Sequence, residues 1–281
     1  MEGTLLAWWL LLCVVAFVNP LLWFLSAQRL ERADPPASRR WMLWLSAVYV
    51  AGCGFRSVFP MLDAARLCLH DNWISRIAVG RSIATIAELA FALQWALLFR
   101  EGGTLATRLA SSAIVPVIGA AEIASWGAVL TTNYLLHAVE NSLWTLAAAL
   151  GFAAFLSLRF KAHGATARFL DAACAGGLVY IAYMVIADVP MYLARWRAAA
   201  GITVPLEEGV RTVLERCVVL REWSAWREDA TWLTLYFTVC VWVSVALPHA
   251  PKLGTSRQGA APPLRPAAPP APGTSSPRAL P

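Results

Sequence analysis

Residues 134–158 read YLLHAVENSLWTLAAALGFAAFLSL, and the fold turns on whether this stretch is a buried soluble helix or a membrane crossing. About 20 predominantly apolar residues cross the roughly 30 Å hydrocarbon core of a bilayer, and this run is long enough. From Thr145 to Leu158 it carries no charge. Its first half does: His137, Glu140 and Asn141 stand at i, i+3 and i+4, with Trp144 at i+7. That spacing puts all four on one face of a helix. Ionisable groups at bilayer depth face a bundle interior or a water-filled space, so one polar stripe on an apolar helix marks an interior wall.

Composition points the same way. The 281 residues are 59% hydrophobic and 14% charged, with a mean hydropathy of +0.58. A soluble domain has about 25% charged residues, so this chain lacks the polar surface to face water. Fourteen Trp fit the same reading, because indoles favour the membrane interface. The net charge of +6 is no nucleic-acid footprint, since the Arg residues are scattered among loops and form no single patch.

Seven windows have the length and apolarity of a crossing: about 4–27, 41–59, 77–99, 109–131, 134–158, 169–193 and 230–249. Backbone groups in lipid need internal hydrogen bonds, so the expected fold is all-α, a polytopic bundle of seven transmembrane helices over residues 1–250. The first window reads as a retained helix, for MEG at its start is acidic and no small-residue cleavage site precedes QRLERADPP. Arg29, Arg32, Arg39 and Arg40 follow that window; Arg100, Arg108, Arg159, Lys161 and Arg168 fall on the same side. Positive charge marks the cytoplasmic face, so the N-terminus is expected outside and the C-terminus in the cytoplasm of a multi-pass protein.

Two loops carry further expectations. Helical periodicity in VPLEEGVRTVLERCVVLREWSAWRED predicts a surface amphipathic helix over about 205–226, anchored by Trp223 and Trp226. PMLDAARLCLHDNWISR reads as a second, short interfacial helix. Cys68 and Cys217 lie in these two loops on the external side, which leaves them free to form a disulfide; the bland alternative packs Cys217 on the apolar face of the loop helix. Residues 251–281, rich in Pro and Ala without periodicity, read as a disordered tail.

The candidate site follows from the intramembrane polar residues. Counted from the outer ends of the spans at 1.5 Å per residue, Glu88 lies about 16 Å deep, Glu122 about 14 Å, Glu140 about 9 Å, Asp188 about 8 Å and Arg81 about 6 Å. Arg56 closes the second window. Arg81, Thr85, Glu88 and Trp95 share a face of the third; Glu122, Ser125 and Trp126 share one of the fourth. Asp188 aligns with Tyr192, and the last window offers Trp232 and Tyr236. The predicted ligand-binding set is therefore Glu88, Glu122, His137, Glu140, Asn141, Asp188, Arg56, Arg81, Trp126, Trp144, Tyr192 and Tyr236.

Two Arg and a neutral His cannot neutralise four acids, so the surplus calls for protons, water or an incoming cation. Aromatic rings nearby add cation–π attraction of about 0.5–2 kcal/mol each. The leading expectation is a lipid-embedded protein that binds or transports a cation, an amine or protons, without a cofactor. An intramembrane lipid-modifying enzyme is the alternative, with His137, Glu140 and Glu88 as acid–base groups and Arg56 and Arg81 on a head group. The third reading is a scaffold whose polar groups glue helices together. No CxxC, HExxH or Cys/His cluster supports a metal site, and no Lys lies within a window to form a Schiff base. Nothing in the sequence fixes an oligomeric state.

Overall fold

The computed structural model describes residues 1–63, 65–215 and 217–253. From residue 254 onward the expected tail lies outside the described residues. Among the described residues six helices are long and apolar enough to cross a membrane: α1 (Gly3–Glu31), α3 (Ile77–Arg100), α4 (Leu105–Thr131), α5 (Tyr134–Arg159), and two compound rods. The first rod, Gly164–Ala198, runs through α6 (Gly164–Tyr183), a π-helical turn at Met184–Asp188 and α7 (Val189–Ala198). After the short α8 (Leu206–Glu215), the second rod, Trp223–His249, joins α9 (Trp223–Leu235), a π-helical turn at Tyr236–Cys240 and α10 (Val241–Ala246). The chain is thus an all-α, multi-pass membrane protein.

The count is six where the sequence reading expects seven. The missing one is α2 (Ala37–Val58), which is helical over 22 residues. It falls short in apolarity because Arg39, Arg40, Ser46 and Arg56 dilute its aliphatic positions.

Packing puts α3 in the middle, between α2 and α4 and against α5, with α1 on the far side of α2, α10 against α1, α2 and the Gln94 side chain of α3, and α6 against α5. Two large apolar cores and two small ones result. One joins Leu5, Trp8 and Leu12 of α1 to Tyr49 and Cys53 of α2 and to Trp226, Phe237 and Val241 of the last rod. The other large core gathers Phe99, Ile114, Ile118, Phe155, Leu170 and Leu247 at the opposite end of the bundle. Local signals set the boundaries. Thr104 and Thr107 form a reciprocal capping box at the start of α4. Thr132 ends it in the left-handed region at φ 55°, and Asn133 then caps α5 by accepting from Leu135 N.

The N-terminal face is closed by a small cap, and here both loop expectations need correction. The segment expected to form a short interfacial helix instead makes strands β1 (Met61–Leu62) and β2 (Leu67–Cys68) and a single 3-10 turn, Trp73–Ser75, capped by the Asn72 side chain. The helix expected over about 205–226 stops at Glu215, and β3 (Val218–Val219) follows. β2 pairs antiparallel with β1 and parallel with β3. The physical reason is a tie: Cys68 and Cys217 are joined as a disulfide, which pulls the chain out of the helix and into register with β2. Arg66 donates to the carbonyls of Val129 and Leu130 at the end of α4. Gly209 lets α8 lie on that same end, since a Cβ there would sit 1.8 Å from the Leu130 oxygen. Glu2 binds the Trp223 backbone N–H, so the chain start belongs to this face. At the other face, buried Arg39 donates to Leu247 and Pro248 carbonyls and pairs with Glu101.

Candidate functional site

Arg81, one turn into α3, organises the polar residues. Its Nη2 donates to Glu88 at 2.9 Å and to Glu122 at 2.5 Å, and its Nη1 lies 3.5 Å from Asp63 and 3.7 Å from Glu140. Four carboxylates, from the turn after β1 and from α3, α4 and α5, therefore meet the guanidinium of one arginine that is 3% exposed. The neighbours complete the set. Arg56 reaches Asp63 at 3.4 Å, Tyr236 O–H donates to the second oxygen of Glu88 at 2.8 Å, and Thr85 donates to Glu122 at 2.6 Å. On α5, His137 Nδ1 meets Glu140 at 2.7 Å and Asn141 donates to Asp188 at 2.6 Å. Over α7 and α9, Arg195 pairs with Glu228 and Asp229 and lies 5.6 Å from the Tyr192 ring centre.

These residues bound a cavity of about 570 Å³, inside the size range of small-molecule sites. Of the twelve residues singled out from sequence, nine line it: Arg56, Arg81, Glu88, His137, Glu140, Asn141, Trp144, Tyr192 and Tyr236. The remaining three are not in the wall. Glu122 and Trp126 stand behind α3, joined through Thr85, and Asp188 stands behind Asn141.

Three charged wall residues escaped the sequence reading: Asp63, Arg195 and Asp229. Two of them had a readable signal. Asp188, Tyr192 and Arg195 are spaced i, i+4, i+7, and Asp229, Trp232 and Tyr236 are spaced i, i+3, i+7. Each lay just beyond a window edge, at 193 or 230. Asp63 had none, because its position depends on the fold-back of β1.

Charge does not balance around this space. Among the described residues, Asp63, Glu88, Glu122, Glu140, Asp188 and Asp229 are six carboxyls, against the three guanidiniums of Arg56, Arg81 and Arg195 and one imidazole. Hydrogen bonding is incomplete too: His137 Nε2, Arg56 Nε, Arg81 Nε and Glu122 Oε1 are buried without a partner. Buried polar atoms are almost always satisfied by protein or by ordered water, so these four are open to a further partner, as are Arg66 Nε, His70 Nε2, Ser75 Oγ and Ser125 Oγ elsewhere. His70, in the cap, offers no counter-charge. Partial burial, with Arg221 nearby, holds its imidazole below the usual histidine range, hence neutral at pH 7. Both π-helical turns border the same space, through Met184 on one rod and Tyr236, Val239 and Cys240 on the other. Turns of this kind recur at functional sites.

Among the described residues no group of three or more His, Cys, Asp or Glu side chains is arranged to hold a metal ion. No family model matches the chain, and neither a characterised protein nor a solved structure shows significant similarity to it.

Proposed function

We propose that the protein binds an organic cation, in exchange for protons, in the buried acidic cavity of a seven-crossing bundle. The observation that carries this reading is the surplus of carboxyls around Arg81 beside an open volume. A scaffold held by interhelical polar contacts would close the space and satisfy its donors; here about 570 Å³ and several orphaned atoms remain. The aromatic wall supports a cation as well. The Tyr236 ring centre lies 6.0 Å from that of Tyr49 and 6.2 Å from that of Trp232, and all three rings line the cavity.

The seventh crossing is α2: at 1.5 Å per residue its 22 residues reach about 33 Å, and its two end arginines find internal partners. The N-terminal face lies outside the cytoplasm. The disulfide on that face and the crowd of Arg and Lys on the other both support this, for disulfides persist in oxidising compartments. α8 then lies along the outer surface as an interfacial helix.

The test is saturable binding of butylamine and tetramethylammonium to the purified full chain, followed calorimetrically in buffers of different ionisation enthalpy. Binding with proton release, weakened more than tenfold in Glu140→Gln while the melting temperature holds, is expected. Absence of binding from pH 5 to 8 overturns the proposal. Coupling to transport predicts pH-gradient-driven amine flux in vesicles that Glu88→Gln abolishes.

A second reading rests on one pair. His137 is held at Nδ1 by Glu140 and keeps Nε2 unpaired, the disposition of a general base oriented by a carboxylate. An intramembrane enzyme acting on a lipid would lose turnover in His137→Ala with folding retained, whereas a binding protein would show no turnover to lose.

A further inference from the structure

The polar groups occupy one end of the cavity and leave the other end unexplained. Beyond Glu88 the wall turns wholly apolar. Along α3 it passes Phe91, Trp95 and Phe99, and it continues over Phe155 of α5 and Phe169 of α6. These rings are in mutual contact: Tyr49–Phe91 at 4.7 Å, Phe91–Trp95 at 5.9 Å, Trp95–Phe99 at 5.9 Å, Phe99–Phe155 at 4.9 Å and Phe155–Phe169 at 5.9 Å. From Arg81 to Phe99 the cavity follows α3 for about 27 Å, close to the thickness of a hydrocarbon core. A small ammonium ion needs none of this length.

The way in differs between the two ends. At the polar end the two rods are bridged: Tyr183 stacks on Trp232 at 5.7 Å and 9°, and Arg195 pairs with Glu228 and Asp229. Met61, Leu62 and Asp63 line that end from the cap. Farther along, the seam between α6 and the last rod carries Ala172 and Gly176 on one side and Val239 and Ala246 on the other. All four line the cavity and all four are exposed. A Cβ built on Gly176 would meet nothing within 4 Å. The space is therefore capped over its charges and open sideways beside its apolar stretch, about 18 Å along the rod from Gly164.

We infer that the ligand is an amphiphile, a protonated amine on a long hydrocarbon tail, which enters from the bilayer through the α6–α10 seam with its head at Glu88, Glu140 and His137. The tail lies along Phe91, Trp95, Phe99 and Phe155. The inference rests on the cation-binding reading for its head group and on the apolar chamber for its tail. The unpaired Nε2 of His137, a residue 5% exposed, accepts from the ammonium, and the carboxylates supply the charge. Lateral entry spares the amphiphile a passage through water.

The experiment compares three probes, dodecylamine, dodecanol and butylamine, on wild type, Gly176→Trp and Glu140→Gln in nanodiscs. Each probe is judged only across variants, so its own partition into lipid cancels. Gly176 is exposed with free space at Cβ, and the ligand-free melting temperature of the Trp variant verifies that it folds; Ala172→Trp serves as a second block of the same seam. Expected is a more than tenfold loss for dodecylamine in Gly176→Trp with butylamine within twofold. Glu140→Gln should weaken both amines more than tenfold and leave dodecanol unchanged. Equal dodecylamine affinity in wild type and both seam variants sinks the lateral tail site. Butylamine binding without dodecylamine binding sinks the amphiphile and leaves the cation site standing. Both amines insensitive to Glu140→Gln, with dodecanol bound as tightly, sinks the cation site itself.

Discussion

α3 and the α6–α7 rod have nearly the same mean hydropathy over their most apolar stretch, 1.6 and 1.8, yet 56% of that stretch is buried in α3 and 11% in the rod. The slightly more polar helix is the inner one. The reason is that charge cannot face acyl chains cheaply, so Arg81 and Glu88 drive α3 to the centre where partners exist. The α6–α7 rod has one comparably buried charge, Asp188, met by Asn141 of the adjoining helix, and otherwise turns Leu178, Val179, Val185 and Ile186 outward. Hydropathy reports that a helix crosses; the placement of its few polar residues reports where it packs.

The comparison is most directly broken at Arg81. In Arg81→Met the carboxylates of Asp63, Glu88, Glu122 and Glu140 lose their shared cation, and breaking a buried pair costs about 3–5 kcal/mol. Loss of monodisperse protein from detergent chromatography is expected. Charge removal on the peripheral rod, as in Arg197→Ala, should leave the elution profile as it was. If both variants behave alike, α3 is not the organising helix.

The disulfide comes next. It closes a loop of 149 residues from the entry to α3 around to β3, and native disulfides of small domains are worth about 2–5 kcal/mol. Cys68→Ser or reduction should lower the melting temperature and free α8 from the end of α4, read as new protease sensitivity between residues 206 and 215. Because the tie spans the cap and not the α6 seam, dodecylamine should still bind.

Within α3, Gln94 is the smaller counterpart of Arg81. It is fully buried, donates to the Met42 carbonyl at 2.7 Å and the Ser244 carbonyl at 3.1 Å, and accepts from Ser244 Oγ at 2.6 Å. It thereby ties α3 to α2 and α10. Gln94→Leu leaves those groups unpaired at about 1–3 kcal/mol. A clear drop in melting temperature with unaltered amine binding is expected, which separates packing on α3 from ligand contact.

These contrasts also explain what could be read from the chain alone. The polar stripes of residues 81–95 and 137–144 were legible because 3.6-residue periodicity projects them onto one face, and burial near one another follows from the cost of stranding them in lipid. The window at 41–59 reads as a crossing, yet α2 falls short in apolarity, since Arg56 lines the site and dilutes that window together. Strands of two residues have no alternation to detect, so the β1–β2–β3 cap was invisible, and with it Asp63. The apolar chamber left no trace because an unfilled volume is a property of facing surfaces. Gly176 and Ala172 look the same in sequence whether they admit a neighbouring helix or a guest.

The smallest effect is expected where the rod faces outward. Val179 is 70% and Ile186 77% exposed, so truncation to Ala removes no internal contact, and Ala is the better helix former. Val179→Ala and Ile186→Ala should each shift stability by less than about 0.5 kcal/mol, within the range of substitutions away from any packed feature. Thermal unfolding in nanodiscs at two protein-to-lipid ratios decides it. A drop that appears only at the high ratio would mean that this apolar face is covered by a second copy, for dilution in lipid weakens association and leaves the fold of one chain unaffected. A drop at both ratios would mean that the rod is packed more tightly than its exposure implies, and the contrast with α3 would then fail at its peripheral end.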